Sequence, residues 1–307
     1  MKGEQMAEDP KVGRCGFVAV LGRTNVGKST LVNGLVGEKV AIVTPKPQTT
    51  RNVVRGIYNE QRGQIIFLDT PGLHKPRTRM NQAMVRTALG SVEGVDAVLW
   101  LIHAAQPWHE EEDQLAKVMG SLGKPLVVVL NQVDTQPDKA ALLPLMQDLS
   151  ARFPSAPIYP MCALDSRDYP KLVDLLFEVL PLGGPLFPPE VYTDQMERQL
   201  AAEVVREQVF LRTREEVPHC TGVLVESFQE PEEEGAQVEI HCAILVERES
   251  QKPILIGKGG QNLKEIGTRA RLELQRLLGC RVDLRLWVKV RPGWRDHIGT
   301  LQEMGLA

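Results

Sequence analysis

The chain has 307 residues, 43% apolar and 24% charged, with a formal net charge of −3. At roughly 150 residues per domain this suggests two domains, and the composition excludes a chain dominated by disorder. It also argues against a uniformly basic nucleic-acid binder. No apolar run reaches the ~18–20 residues of a membrane-spanning helix, and Met1–Pro10 lacks the apolar core of a signal peptide. Five scattered cysteines without a C-x-x-C pair fit a reducing compartment rather than a disulfide framework or zinc site.

From Gly16 to about Leu180, short apolar runs alternate with helix-length segments. Phe17–Leu21, Ile65–Leu68, Val95–Ile102, Leu126–Leu130 and Ile158–Tyr159 read as strands, most without the alternation of a half-exposed sheet. Ser29–Val36, Met80–Val92, Glu110–Met119, Asp138–Leu149 and Leu172–Leu180 read as helices between them. This order predicts an α/β layered fold with a mostly parallel sheet. Val53–Tyr58 alternates more and suits an antiparallel edge strand. Pro181–Pro189 holds four prolines and two glycines and reads as a linker.

A second unit follows, with a helix over Asp194–Leu211 and strands over Thr221–Phe228 and Gln237–Glu247 around an acidic turn at 230–235. Then come an apolar Ile254–Ile256, a Gly-Lys-Gly-Gly loop, a helix over Gln261–Leu278 and a strand over Arg281–Val290. The expected layout is a tail over 1–12, a nucleotide-binding domain over 13–180, a linker over 181–193 and a smaller α+β domain over 194–307, its core at about 212–292.

Gly22-Arg23-Thr24-Asn25-Val26-Gly27-Lys28-Ser29 fits G-x-x-x-x-G-K-[ST] between an apolar strand and a helix pattern that continues through Thr30. Glycines let the backbone wrap a phosphate chain at the positive end of a helix. Lys28 would neutralise the β- and γ-phosphates and the Ser29 hydroxyl would bind Mg2+. Asp69-Thr70-Pro71-Gly72-Leu73 follows a strand, so Asp69 is placed to hold Mg2+ and Gly72 to approach a γ-phosphate. Asn131-Gln132-Val133-Asp134 ends another strand. The Asp134 carboxylate can accept two N–H groups from guanine that adenine does not offer, so GTP and GDP are the expected nucleotides.

Gly257-Lys258-Gly259-Gly260 fits the G-x-x-G loop with which KH domains clamp single-stranded RNA, and it opens onto an amphipathic helix. A plain turn is the alternative. Residues 251–295 carry eleven Lys/Arg against Glu265, Glu273 and Asp283, a local net charge of +8 that attracts phosphate. Lys264, Arg269, Arg276, Arg281 and Arg285 are candidate contributors, and Ile254, Leu255 and Ile256 either line a base-receiving groove or pack the core.

These motifs, with Gln48-Thr49-Thr50-Arg51 and Asp69-Thr-Pro-Gly-Leu-His74, resemble the bacterial Era family over nearly the whole chain after residue 12. The resemblance implies a P-loop GTPase fold followed by a type II KH domain. It implies that Thr50, with Thr49 the competitor, reaches Mg2+ in the GTP state. It implies that Cys162-Ala163-Leu164 forms the base loop, with the Ala163 N–H meeting the guanine carbonyl. Gln132 replaces the lysine of N-K-x-D and Cys162 a serine. Leu73 stands where Ras-like enzymes have a water-orienting glutamine, so slow turnover is expected. Asn25 matches an asparagine that lets related GTPases use K+, or else stabilises the loop turn. His74 is weighed as a general base against a packing role.

The family further implies binding near the 3′ end of 16S ribosomal RNA, a role in assembly of the 30S subunit, a cytoplasmic monomer, and peripheral contact with the inner membrane surface. The rivals are an RNA-binding scaffold with little turnover and a GTPase acting in tRNA modification.

Overall fold

The structure, a computed structural model, describes residues 13–73, 76, 78–230 and 237–306. The 1–12 tail, His74 and residues 231–236 of the acidic turn lie outside them. The first sheet runs β1 (Arg14–Leu21), β2 (Val54–Glu60), β3 (Gly63–Asp69), β4 (Ala97–His103), β5 (Leu126–Asn131) and β6 (Ile158–Pro160). Its spatial order is β2-β3-β1-β4-β5-β6, parallel except for the β2–β3 edge pair. Every residue of β4 is buried, which is why that strand carries no polar alternation.

Helices α1 (Lys28–Val36), α2 (Arg79–Gly90), α3 (Glu110–Leu122), α4 (Leu143–Arg152) and α5 (Tyr169–Val179) cover its two faces. The Asp138–Leu149 helix pattern resolves into a single 3-10 turn and α4, because Pro144 can begin a helix but not continue one.

Residues 181–193 are not a loose tether. Gly183 N–H donates to Gly13 O (3.0 Å), Ile57 N–H to Tyr192 O (2.9 Å), and the buried Gln64 side chain accepts from the Leu186 and Phe187 amides (2.8 and 3.0 Å). Phe187 and Val191 also pack on Ile57 and Ile66. The segment uses sheet-edge groups that would otherwise lie unpaired, so it belongs mechanically to the first domain.

The second domain contains α6 (Glu197–Arg212), β7 (Gly222–Gln229), β8 (Val238–Val246), α7 (Lys252–Ile256), α8 (Gln261–Leu278), β9 (Val282–Val290) and α9 (Ile298–Glu303). Strands β7 and β8 are antiparallel, while β9 joins β8 in parallel. That parallel step requires a crossover, and α7 and α8 supply it. Ile254–Ile256 is therefore the end of a short helix: Leu255 is core, Ile256 packs beside it and Ile254 is 48% exposed. Among the described residues no helix is long and apolar enough to cross a membrane.

The domains share a small apolar core, in which Met80 and Met84 of α2 meet Ala243, Leu245, Trp294, Leu301 and Leu306. The segment after Gly72 is thus packed directly against the second domain.

Candidate nucleotide site and RNA-facing loop

The β1–α1 loop turns on residues with positive φ: Gly22 at 152°, Asn25 at 63° and Gly27 at 94°. A Cβ on Gly27 would lie 2.3 Å from Asn131 Nδ2, so only glycine fits. The Lys28 ammonium is buried and donates to Gly22 O (3.2 Å) and Arg23 O (2.9 Å), spanning the mouth of the loop. Burial lowers its pKa to about 8, against the opposing pull of Asp69. Thr24, Thr30 and Gly72 line the same cleft with residues 42–50. A Cβ on Gly72 would sit 2.7 Å from the Thr24 backbone, so this glycine lets the chain close on the loop.

Three polar side chains converge beside Lys28. Ser29 Oγ lies 2.8 Å from Thr50 Oγ1 and donates to Asp69 Oδ2 (2.5 Å), while Thr50 Oγ1 is 3.4 Å from that carboxylate. Thr49 instead turns its hydroxyl to Thr44 Oγ1 (2.6 Å) and Lys46 O (2.7 Å). The geometry therefore puts Thr50, and not its neighbour, at this point. Asp69 Oδ1 is buried without a hydrogen-bond partner. A carboxylate with one oxygen orphaned and the other meeting two hydroxyls is the donor set of a hard divalent cation, so the residues fit Mg2+. Thr70 is structural, donating to Val20 O (2.7 Å).

Desolvation raises the Asp69 carboxyl to about 6, with Lys28, Ser29 and Thr50 pulling the other way. Metal-free, the folded state holds this proton more tightly than the unfolded chain. Asp69 therefore subtracts stability as pH rises from its ordinary value of 3.8 through about 6. A divalent cation must displace the proton below that range. The stabilisation conferred by Mg2+ on nucleotide-free protein is expected to weaken as pH falls through about 6. Thermal unfolding from pH 5 to 8 with and without Mg2+ checks this, and Asp69→Asn should remove the pH dependence.

Asn131 ties the base loop to the phosphate loop: Nδ2 donates to Val26 O (2.7 Å) and Oδ1 accepts the Ala163 N–H (2.8 Å). The Ala163 amide, expected at the guanine carbonyl, is thus engaged by Asn131. Gln132 adopts φ 61° and its amide reaches Asn25 O (2.9 Å), so it keeps a bond across the site without a lysine's length. Val133 and Asp134 form a single 3-10 turn, and the Cys162 thiol is hydrogen-bonded to Asp134. Burial first, and then that bond, push the thiol up. Leu164 is 80% exposed at the open side of the loop. The Asn25 amide donates to Pro45 O (2.9 Å), which ties the phosphate loop to the 39–51 segment. Leu73 is buried among Leu21, Ala88 and Trp100, so its side chain is in the core. Pro71 is likewise buried.

Two supporting residues carry no motif. Glu112 is buried, pairs with Arg23 (3.2 Å) and caps α3 by accepting the His109 N–H. His103, at the end of β4, accepts the Ala105 N–H and is hydrogen-bonded to Gln132; burial lowers its pKa. His103 ends strand β4 and Glu112 lies in the helix after it, and only the sheet order brings them beside the phosphate loop.

In the second domain, Gly257, Gly259 and Gly260 have φ of 73°, 59° and 78°. A Cβ at Gly257 would lie 2.7 Å from Asn262 Cβ, whose amide in turn caps the Ile254 and Leu255 carbonyls. The loop therefore presents a tight backbone surface with Lys258 exposed on it. Arg269, Arg276 and Arg285 are paired with Glu265, Glu273 and Asp283. Among the described residues Lys258, Lys264 and Arg281 make no ion pair and are exposed, leaving them to face phosphate.

The segment 39–51 rests on α6 of the second domain. Lys39 bridges Glu207 (2.6 Å) and Glu273 (3.1 Å), the Val43 N–H donates to Glu207 (3.0 Å), and Arg206 donates to Thr49 O (2.5 Å). Lys46 reaches the Phe210 and Thr213 carbonyls.

The first domain is by this geometry a P-loop nucleotide-binding domain with a guanine-selecting loop, and the second has the strand order and glycine loop of an RNA-binding module. Residues 17–132 match the family described as "50S ribosome-binding GTPase" and residues 216–295 the KH domain. The GTPase Era of Geobacter metallireducens is 45% identical over 292 residues, 95% of this chain and 97% of that one. That of Xanthomonas axonopodis pv. citri is 45% identical over 301 residues, covering 98% and 99%. A crystal structure of Era with MgGDPNP and nucleotides 1506–1542 of 16S ribosomal RNA superposes with TM-score 0.92 at 41% identity, covering 96% of this chain and 99% of that one. A point variant of Aquifex aeolicus Era bound to GDP and AlF4− gives 0.91 at 41%, with the same coverage. The chain belongs to the Era GTPase family and is a GTP-hydrolysing enzyme.

Proposed function

We propose that this GTPase binds the 3′ region of 16S ribosomal RNA through its Gly257–Gly260 face and assists assembly of the 30S subunit, with GTP and Mg2+ controlling the engagement. The observation that carries the control is the seating of both γ-phosphate-flanking segments, 39–51 and α2, on the RNA-binding domain. The choice of RNA is supported by the likeness to an Era solved with that RNA.

In this reading Lys28 neutralises the β/γ-phosphates and Gly72 brings the chain after Asp69 to the γ-phosphate. Ser29, Thr50 and Asp69 would hold Mg2+, which supplies further charge neutralisation when bound. Leu73 offers no hydrogen bond to water, so unassisted hydrolysis is slow. K+ beside Asn25 belongs to the same proposal, and phosphate release in K+ against Na+, repeated with Asn25→Ser, checks it. Cytoplasmic residence as a monomer with peripheral contact to the inner membrane surface completes the reading and rests on the family alone.

Binding of a 3′-terminal 16S RNA oligonucleotide by the GTP-analogue, GDP and nucleotide-free forms tests the proposal. The GTP-analogue form is expected to bind most tightly, and equal binding by all three overturns nucleotide control. Lys258→Glu should weaken RNA binding about tenfold and flatten its salt dependence. Unchanged RNA affinity in this variant places the RNA elsewhere. Phosphate release with and without RNA measures how far RNA speeds the turnover that the buried Leu73 leaves unassisted.

A further inference from the structure

Arg51 follows the metal-site threonine directly, yet its side chain leaves the nucleotide domain. It is 3% exposed, with Nη1 donating to Thr221 O (2.8 Å) and Nη2 to Pro218 O (3.4 Å). Its guanidinium lies 5.7 Å from the Phe210 ring centroid and 5.8 Å from that of Trp294. One planar group therefore touches the end of α6, the 218–220 turn and the 294–296 turn.

Among the described residues no carboxylate bonds to this cation. Nε is buried without a partner, and its charged surroundings hold Arg206 and Arg295 as well as Glu203. Arg206 and Arg295 each keep one buried nitrogen without a partner, Nη1 and Nε, but unlike Arg51 they are paired with carboxylates, Glu203 and Glu247. Burial, and then the Arg206 charge, lower the Arg51 pKa to about 9. Of the other cations crossing the boundary, Lys39 meets Glu207 and Glu273, Arg55 meets Asp194, Arg206 pairs with Glu203 while donating to Thr49 O, and the partly exposed Lys46 rests on the Phe210 and Thr213 carbonyls. An uncompensated buried cation gains by returning to water unless its backbone is held in place. Here the backbone is held on one side by Thr50 at Ser29 and Asp69, and on the other by the bond from Arg206 to Thr49 O.

We propose that Arg51 is the positioning residue that turns release of Thr50 into release of the RNA-binding domain. With Thr50 held, the guanidinium stays between Phe210 and Trp294 and the domains are docked. With Thr50 free, the cation returns to water and the 206–221 and 294–304 surfaces open together. The carboxylate-paired Lys39 holds the domains without regard to nucleotide. This inference rests on the nucleotide-controlled RNA binding proposed above.

The test compares full-length wild type, Arg51→Ala, Arg51→Lys and Lys39→Ala, each with GDP and with a non-hydrolysable GTP analogue. The readouts are amide hydrogen exchange over 206–221 and 294–304 and affinity for the 3′-terminal 16S oligonucleotide. Wild type should show slower exchange and about tenfold tighter RNA binding in the GTP-analogue state. In Arg51→Ala both differences should shrink below about twofold, while GDP affinity, the check that the nucleotide domain is folded, stays within about threefold of wild type. Arg51→Lys, which keeps the charge but loses the planar fork, should behave like the alanine variant. Lys39→Ala should speed exchange in both nucleotide states and keep the RNA ratio. A wild-type ratio in Arg51→Ala overturns the proposal, as does equal loss in Lys39→Ala. No ratio in wild type overturns the switch reading together with it.

Discussion

Replacing Asp134 by asparagine is expected to lower GTP affinity about 10⁴-fold and to confer binding of xanthosine triphosphate. The carboxylate sits one turn beyond β5, in a 3-10 turn closed by Thr135 N–H to Gln132 O, with the Cys162 thiol bonded to it. It can only accept, and guanine presents two adjacent N–H donors. An amide turns one donor toward another donor and leaves the base's polar edge unpaired, which costs far more than a lost apolar contact. Xanthine carries a carbonyl where guanine has the amino group, so the same amide regains a bond. Calorimetric titration with both nucleotides checks this. GTP affinity within threefold of wild type would remove Asp134 from base selection. Cys162→Ser replaces the thiol donor on the carboxylate with a hydroxyl and should leave the preference for guanine in place.

Lys28→Met is expected to reduce GTP turnover by about 10²–10³-fold, roughly 3–4 kcal/mol of transition-state stabilisation. The ammonium is already fixed by two loop carbonyls, so its charge needs no reorganisation as the γ-phosphate leaves. The same burial makes it a burden without nucleotide: a lysine with a lowered pKa subtracts stability in full below about 8, and that penalty fades as pH rises from about 8 to its ordinary 10.5. Nucleotide-free Lys28→Met should therefore melt no lower than wild type at pH 7, while losing activity. A large fall in its melting temperature would mean that Lys28 chiefly holds the loop together. Single-turnover phosphate release and thermal unfolding on the same samples separate the two roles.

The nucleotide domain was legible because its motifs are local. Gly27 and Lys28 open the helix after β1, Asp69 ends β3 and Asp134 lies in the turn just after β5, and apolar runs announce such strands without knowledge of their partners. The G-x-x-G loop was legible for the same reason, since three positive φ angles in four residues call for glycine. Switch register was not. Thr49 and Thr50 are chemically alike, and only the close approach of residues 44–51 to Ser29 and Asp69 distinguishes them. Where the linker packs was not legible, because proline content reports what a segment cannot form, not what it packs on; Gln64 makes the difference. The role of Gln132 was not legible either, since only its backbone at φ 61° turns the short amide onto the phosphate loop.

By itself the sequence determined the kind of chemistry: a phosphate loop, a magnesium-type carboxylate, a guanine-selecting aspartate and a clamp for RNA backbone, each written within a few consecutive residues. Tertiary structure alone decided how those parts act on one another. Lys39, Arg51, Arg206 and Glu207 look in the sequence like ordinary charges on a loop and a helix. Their meaning comes from burial at a boundary between residues some 155 positions apart, where Thr49 meets Arg206. Burial magnifies charge, so an arginine that would be a solvated surface residue in isolation becomes, between Phe210 and Trp294, a group whose position depends on the nucleotide site one residue away.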